Sequence, residues 1–253
     1  GLSVAVVERD GHATGASVRN FGHGCITAQD GIAFDYAIAA RDAWVTLARD
    51  AGFWLRESGT LVAARAEDEL AVLTEFAERR SGQVTLLTSS AVLNRVRLSG
   101  DVVGGALLPM DIRVNPREAV HAIAAALARR GVTFHWSTTA HTVTPGEVVT
   151  SRGRIAAGGI VVTVGHDVDQ AVLTGFSMLR YDGFAACPSL PALRRRLTRE
   201  HPEDVEAGLN LNPFLIERPA DGVRVVAVTS GIGMTTALGL APAVLDDIDH
   251  EAA

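Results

Sequence analysis

Residues 110–136 read MDIRVNPREAVHAIAAALARRGVTFHW, and this stretch carries the clearest fold signal in the chain. Asn115 is a good helix N-cap, because its side-chain oxygen can accept from an amide left unpaired in the first turn. Pro116 suits the first helical position, and Glu118 at the third completes a capping-box pattern. Ile123 and Leu127 then share a helical face, Gly131 closes the helix, and Val132 to Trp136 reads as a strand. Downstream, residues 139–162 read as short strands turning at Pro145-Gly146 and Arg152-Gly153, with the buried run GGIVVTVG at 158–165. A helix–strand–meander–strand order suits the later half of a nucleotide-binding α/β domain.

Upstream, the valine-rich run LSVAVVE (2–8) predicts a strand buried on both faces of a parallel sheet. The glycine-punctuated loop containing GASVRNFGHG (15–24) follows it. Residues 31–51 place Phe34, Ala37, Ile38, Trp44, Leu47 and Ala48 at helical spacing, with Gly52 as the stop. Residues 59–64 and 102–108 read as strands, the second ended by Pro109, and 67–80 as an amphipathic helix. Near the C-terminus, PALRRRLTRE (191–200) reads as a basic helix and GVRVVAVT (222–229) as a buried strand. SGIGMTTALGLAPAVLDDI (230–248) then forms a glycine-rich turn opening a helix.

With 253 residues, 47% of them hydrophobic, the chain can bury a substantial core. A net charge of -6 argues against nucleic acid as a partner, since phosphate binding wants a basic face. No apolar run approaches the roughly 20 residues of a membrane span, and the expected location is the cytoplasm. Cys25 and Cys187 fit neither a disulfide framework nor a zinc spacing, and the eight histidines form no metal motif. No metal is therefore expected. His23 and His166 stand out only because they lie on glycine-flanked loops. The chain contains no lysine, so its long cationic side chains are all arginines.

Three features carry chemistry. Glu8, acidic at a strand end, can accept from ribose hydroxyls of an adenosine, or it is an ordinary polar strand end. Only seven residues precede it, and no GxGxxG phosphate turn stands anywhere in the chain. Within GASVRNFGHG, Ser17 and Asn20 can cap or hydrogen-bond and Arg19 can meet a phosphate or carboxylate; a surface loop explains them equally. Ser230 to Thr236 offers backbone amides at a helix start, suited to the electron-rich pyrimidine edge of a flavin. Its alternative is a tight packing turn.

VVERD (6–10), GASVRNFG (15–22), RVNPREAVHAIAAAL (113–127), GGIVVTVG (158–165) and TSGIGMTTALGLA (229–241) together resemble the D-amino-acid-oxidase superfamily, which includes glycine and sarcosine oxidases. The resemblance is closest to a bacterial subgroup associated with phosphonate catabolism. It implies an α/β fold: a Rossmann-like layered FAD-binding domain from residues 1–57, 109–170 and 214–253, and a mixed-sheet substrate domain from 58–108 and 171–213. Against the family pattern the chain reads as truncated at its N-terminus and shortened near 211–213. FAD is the implied cofactor. Glu8 would bind the ribose and Arg9 flank the adenine; Ser17, Arg19, Asn20 and Gly22 would line the flavin or its diphosphate. Val143 would meet the adenine, Val164 and Gly165 the ribityl chain, and Gly231, Gly233, Met234 and Thr235 the pyrimidine edge. Arg113 and Arg180 are the candidates for an anionic group of a small amine substrate. The implied reaction is hydride transfer from the carbon beside the amine to flavin N5. Alternatives are a non-catalytic remnant that does not retain FAD and a nicotinamide-dependent dehydrogenase. Catalytic residues, electron acceptor and oligomeric state are not fixed by the sequence.

Overall fold

The computed structural model describes residues 2–165, 214–228 and 231–249. Arg180, His166, Cys187, the helix expected over 191–200 and the 211–213 junction lie outside the described residues, as does the whole of the 171–213 segment.

Two long helices organise the core. Helix α1 (Gly31–Ala51) ends where Gly52 turns left-handed, at φ 77°, and returns its amide to Ala48 O. It packs against the C-terminal helix α5 (Gly233–Asp249). The two backbones nearly touch at Gly239, where a Cβ would lie 2.0 Å from Tyr36 O and 3.0 Å from Ala40 N. On α1 the buried residues are Ala33, Ala37, Ala40 and Trp44, small where α5 approaches. Phe34, Ile38, Leu47 and Ala48 are half-buried against the same core.

Helix α4 (Pro116–Arg129) forms as its signals predict, with Asn115 Oδ1 accepting from Glu118 N at 3.4 Å. The capping box is not closed, however. The Glu118 carboxylate accepts from Trp54 N at 3.0 Å, so it fixes the chain leaving α1 instead of capping its own helix.

Among the described residues the strands form five small sheets. Strand β1 (Ala5–Val7) runs parallel to β8 (Thr133–His135), with Val6 opposite Phe134. The expectation of burial on both faces fails: Ala5 is exposed, because β8 is its only neighbour among the described residues. An antiparallel meander follows, β9 (Ala140–Thr144), β10 (Glu147–Thr150) and β11 (Gly153–Ala156). It turns at Pro145-Gly146 as expected and at Ser151-Arg152, one residue before the expected Arg152-Gly153, because Gly153 already pairs with Thr150. Strand β12 (Ile160–Val162) lies parallel to β14 (Val223–Val228), which also pairs antiparallel with β13 (Phe214–Ala220).

Strands β4 (Thr60–Ala64), β6 (Gly104–Leu108) and β5 (Thr85–Thr88) form a separate antiparallel sheet under α2 (Glu67–Arg79), with α3 (Ser89–Leu93) following β5. Its core draws only on residues between Val62 and Leu108. The last sheet is β2 (His23–Gly24), β7 (Ile112–Val114) and β3 (Leu55–Arg56), two- and three-residue strands packed on α1 and α4. No helix among the described residues is long and apolar enough to cross a membrane.

Gly239→Ala tests the helix contact. Helix propensity alone would favour alanine by about 1 kcal/mol. A Cβ 2.0 Å from a backbone oxygen cannot be accommodated without parting the helices, and overpacking costs about 1–3 kcal/mol. Urea unfolding should show the variant destabilised; a neutral or stabilised variant would contradict the close approach.

Candidate functional site

Asp111 is fully buried at the turn between β6 and β7. Its Oδ1 accepts from Ile26 N (2.9 Å), Thr27 N (3.0 Å) and Thr27 Oγ1 (3.2 Å). Its Oδ2 lies 3.3 Å from His23 Nε2, which also lies 2.7 Å from Thr60 Oγ1. Burying a carboxylate is costly unless its oxygens are satisfied, and here three donors and the imidazole do so. The result pins residues 23–27 in place. Cys25 N then donates to Thr235 Oγ1 at 3.1 Å, and Trp44 Nε1 to Met234 O at 2.9 Å. The start of α5 is thus tied to β2 and α1 together.

His23, Cys25 and Asp111 offer ligand atoms within 4.8 Å of one another. Burial above all, and then the nearby Asp111 charge, push the Cys25 thiol from 9.0 up to about 11. Asp111 Oδ1 already accepts three hydrogen bonds and its Oδ2 faces the imidazole, so hydrogen bonds hold the trio together as a packed polar cluster.

At the α5 start the backbone is bare. A Cβ on Gly231 would meet nothing within 4 Å, and one on Gly233 only Val228 Cβ at 3.9 Å. The amides of Gly231, Gly233 and Met234 have no acceptor among the described residues. Unpaired first-turn amides and the positive end of the helix dipole suit a flat, electron-rich edge brought against the backbone. The flavin pyrimidine edge meets that description, so the residues present fit the group. Met234 and Thr235 contribute differently from their neighbours: the carbonyl of one and the hydroxyl of the other are spent holding the helix start.

The remaining predicted residues fall into three places. Glu8 ends β1, its amide donating to His135 O at 3.0 Å and its carbonyl accepting from Thr138 N at 2.9 Å. One carboxylate oxygen accepts from Asp10 N at 2.9 Å and the other has no partner among the described residues, which suits a ribose hydroxyl. Arg9 is exposed beside Asp10. In the second place, Ser17, Arg19 and Asn20 lie exposed on the loop. Asn20 closes that loop, Nδ2 donating to Ala16 O and Ser17 O (both 3.0 Å) and Oδ1 accepting from Gly22 N at 2.9 Å. Gly22 is required by packing: at φ 67°, a Cβ would lie 2.0 Å from Val114 O. In the third, Val143 is buried with Ile160, Val162, Val223 and Val225, Val164 packs on that cluster, and Gly165 follows.

Arg113 is exposed on β7, in register with His23 on β2 and with Arg56 on β3. Sequence reasoning missed Arg56, Thr60, Cys25 and Asp111. The one local signal was Asp111 itself, an acid inside the otherwise apolar stretch from Ala106 to Ile112.

The mixed α/β arrangement and the open helix start suit a dinucleotide cofactor. The model of the DAO family, FAD dependent oxidoreductase, matches residues 1–185, and the chain belongs to that family. It is an FAD-dependent oxidoreductase. Among solved structures it is similar to glycine oxidase from Geobacillus kaustophilus (TM-score 0.72, 19% identity, 97% of this chain and 88% of that one). It is similar also to L-amino acid deaminase from Proteus vulgaris with a deleted insertion (0.77, 17%, 97% and 83%). Iminodiacetate oxidase from a Chelativorans species shares the fold as well (0.69, 14%, 99% and 89%). No curated protein matches.

Two outcomes follow from the Asp111 cluster. Asp111→Ala strands three donors in the core, at about 1–3 kcal/mol each for unsatisfied buried groups. Urea unfolding should show a loss of at least about 3 kcal/mol, whereas a change below about 1 kcal/mol would contradict the role given to the carboxylate. For Cys25 the folded value is raised above the unfolded one, so the folded state favours the protonated thiol. Stability is unaffected below about pH 9 and falls as pH rises toward about 11. Chemical denaturation across that range should show a smaller alkaline loss in Cys25→Ala; identical curves would contradict it.

Proposed function

We propose that this chain oxidises a small amine or amino acid carrying an anionic group, with an aminophosphonate as one such substrate. The single observation that carries the proposal is the bare start of α5, held by Cys25 and Trp44 beside the sheet face that presents His23 and Arg113. The three solved structures named above, whose names describe oxidation or deamination of amines and amino acids, support it as relatives in fold.

When bound, FAD supplies the acceptor for a hydride from the carbon beside the amine nitrogen, leaving an imine that water hydrolyses. The chain's own residues bind and orient. Gly231, Gly233 and Met234 offer amides to the pyrimidine edge, where negative charge grows on reduction; such preorganised donors need no rearrangement as the charge appears. Glu8 holds the adenosine ribose, with Arg9 beside the adenine. Ser17 and Arg19 face the diphosphate from a loop that Asn20 and Gly22 keep closed. Val143, Val164 and Gly165 flank the adenosine and ribityl portions. Arg113 meets the substrate's anionic group and so sets which carbon faces the flavin. The antiparallel sheet of residues 58–108 forms part of the substrate domain.

The test is anaerobic mixing of the FAD-loaded protein with glycine, sarcosine, iminodiacetate, aminomethylphosphonate and 2-aminoethylphosphonate. At least one should bleach the visible flavin band, and Arg113→Gln should raise the concentration required by about tenfold without preventing bleaching at saturation. Absence of bleaching by every amine would overturn the proposal.

A further inference from the structure

Register places three cationic or ionisable side chains in one row. Arg113 stands directly opposite His23 on one side and Arg56 on the other. Residues directly opposed across antiparallel strands share a face, with Cβ atoms about 5 Å apart. The flanking pairs, Gly24 with Ile112 and Leu55 with Val114, turn the other way, and Ile112, Val114 and Leu55 pack in the core with α1 and α4. The row therefore occupies the outward face. Both arginines are exposed, and neither has an acidic or hydrogen-bonding partner among the described residues. Several other arginines are paired: Arg41 with Glu57, Arg79 and Arg80 with Asp30, Arg154 with Glu147. Asp111, which contacts His23 of the row, is fully buried and committed to Ile26, Thr27 and His23, and Glu57, next to Arg56, is paired with Arg41.

Like charges placed directly opposite one another destabilise a sheet. A chain with 29 acidic residues had ample means to neutralise one of them. The row also leads to the candidate flavin position: His23 lies two residues from Cys25 on the same strand side, and Cys25 N is held by Thr235 at the start of α5. A guanidinium takes an oxyanion through two parallel N–H bonds. A single carboxylate is satisfied by one such fork and leaves the second cation unneutralised; a group with two negative charges satisfies both.

We propose that Arg56 and Arg113 form a two-guanidinium clamp for a doubly negative group on the substrate, a phosphonate or a pair of carboxylates, with Arg56 setting the preference over a single carboxylate. This rests on the amine-oxidation reading for the identity of the ligand, but anion binding itself can be measured without turnover.

The experiment is isothermal titration of the FAD-loaded protein at about pH 9, above the second ionisation of an alkylphosphonate, in low salt, with methylphosphonate, malonate and acetate as probes. At least one dianion should bind about tenfold or more tightly than acetate. Arg56→Gln should remove that advantage and leave acetate binding unchanged; Arg56→Lys, which keeps the charge, should retain part of it. Tighter binding of methylphosphonate than malonate assigns the phosphonate, and the reverse assigns the dicarboxylate. Equal affinity for all three anions in the unmodified protein would overturn the clamp, as would dianion binding unaltered in Arg56→Gln. Arg56-dependent dianion binding by a protein that no amine bleaches would sink the amine reading and leave the clamp standing. Both arginines are exposed, so circular dichroism of the variants should match the parent.

Discussion

A fully buried carboxylate with every oxygen engaged holds this site together. Asp111 gathers the backbone of Ile26 and Thr27, the Thr27 hydroxyl and the His23 imidazole around one side chain. Removing a carboxylate from water is affordable only with such partners. Once residues 23–27 are fixed, Cys25 can hold Thr235 and with it the first turn of α5. The same constraint sets the register of β2 on β7, and through it the row of His23, Arg113 and Arg56. Both proposed positions, for the cofactor and for the anion, therefore depend on this one buried group.

The second constraint is steric. Gly239 lets α5 lie against Tyr36 and Ala40 with no side chain between, which brings Trp44 within hydrogen-bonding reach of Met234 O.

Much of the architecture was legible in local pattern. Asn115, Pro116 and Gly131 bracket α4; Gly52 stops α1; Pro145-Gly146 makes the first turn of the meander, and the second falls within one residue of Arg152-Gly153. These signals act within one turn of backbone, so the sequence carries them directly. Strands β2 and β3 were invisible because two residues cannot display alternation, although they carry His23 and Arg56. Glu118 obeyed the spacing of a capping box yet serves Trp54, because the amide of the chain leaving α1 is a competing donor for its carboxylate. The Asp111 cluster joins positions 23, 25, 60 and 111, far apart in sequence, so no spacing rule could assemble it. Family resemblance supplied FAD, while the glycine turn was legible in the residues themselves; the fold adds that Met234 O and Thr235 Oγ1 are spent there.

The central claim is that the described residues assemble a flavin site. Its most direct test is gel filtration of the protein after incubation with FAD, reading the visible absorption of the protein peak. A resolved flavin spectrum that co-elutes with the protein, and is lost when a side chain is placed on the open backbone by Gly231→Val, is the predicted result. A colourless peak from folded protein would contradict the account.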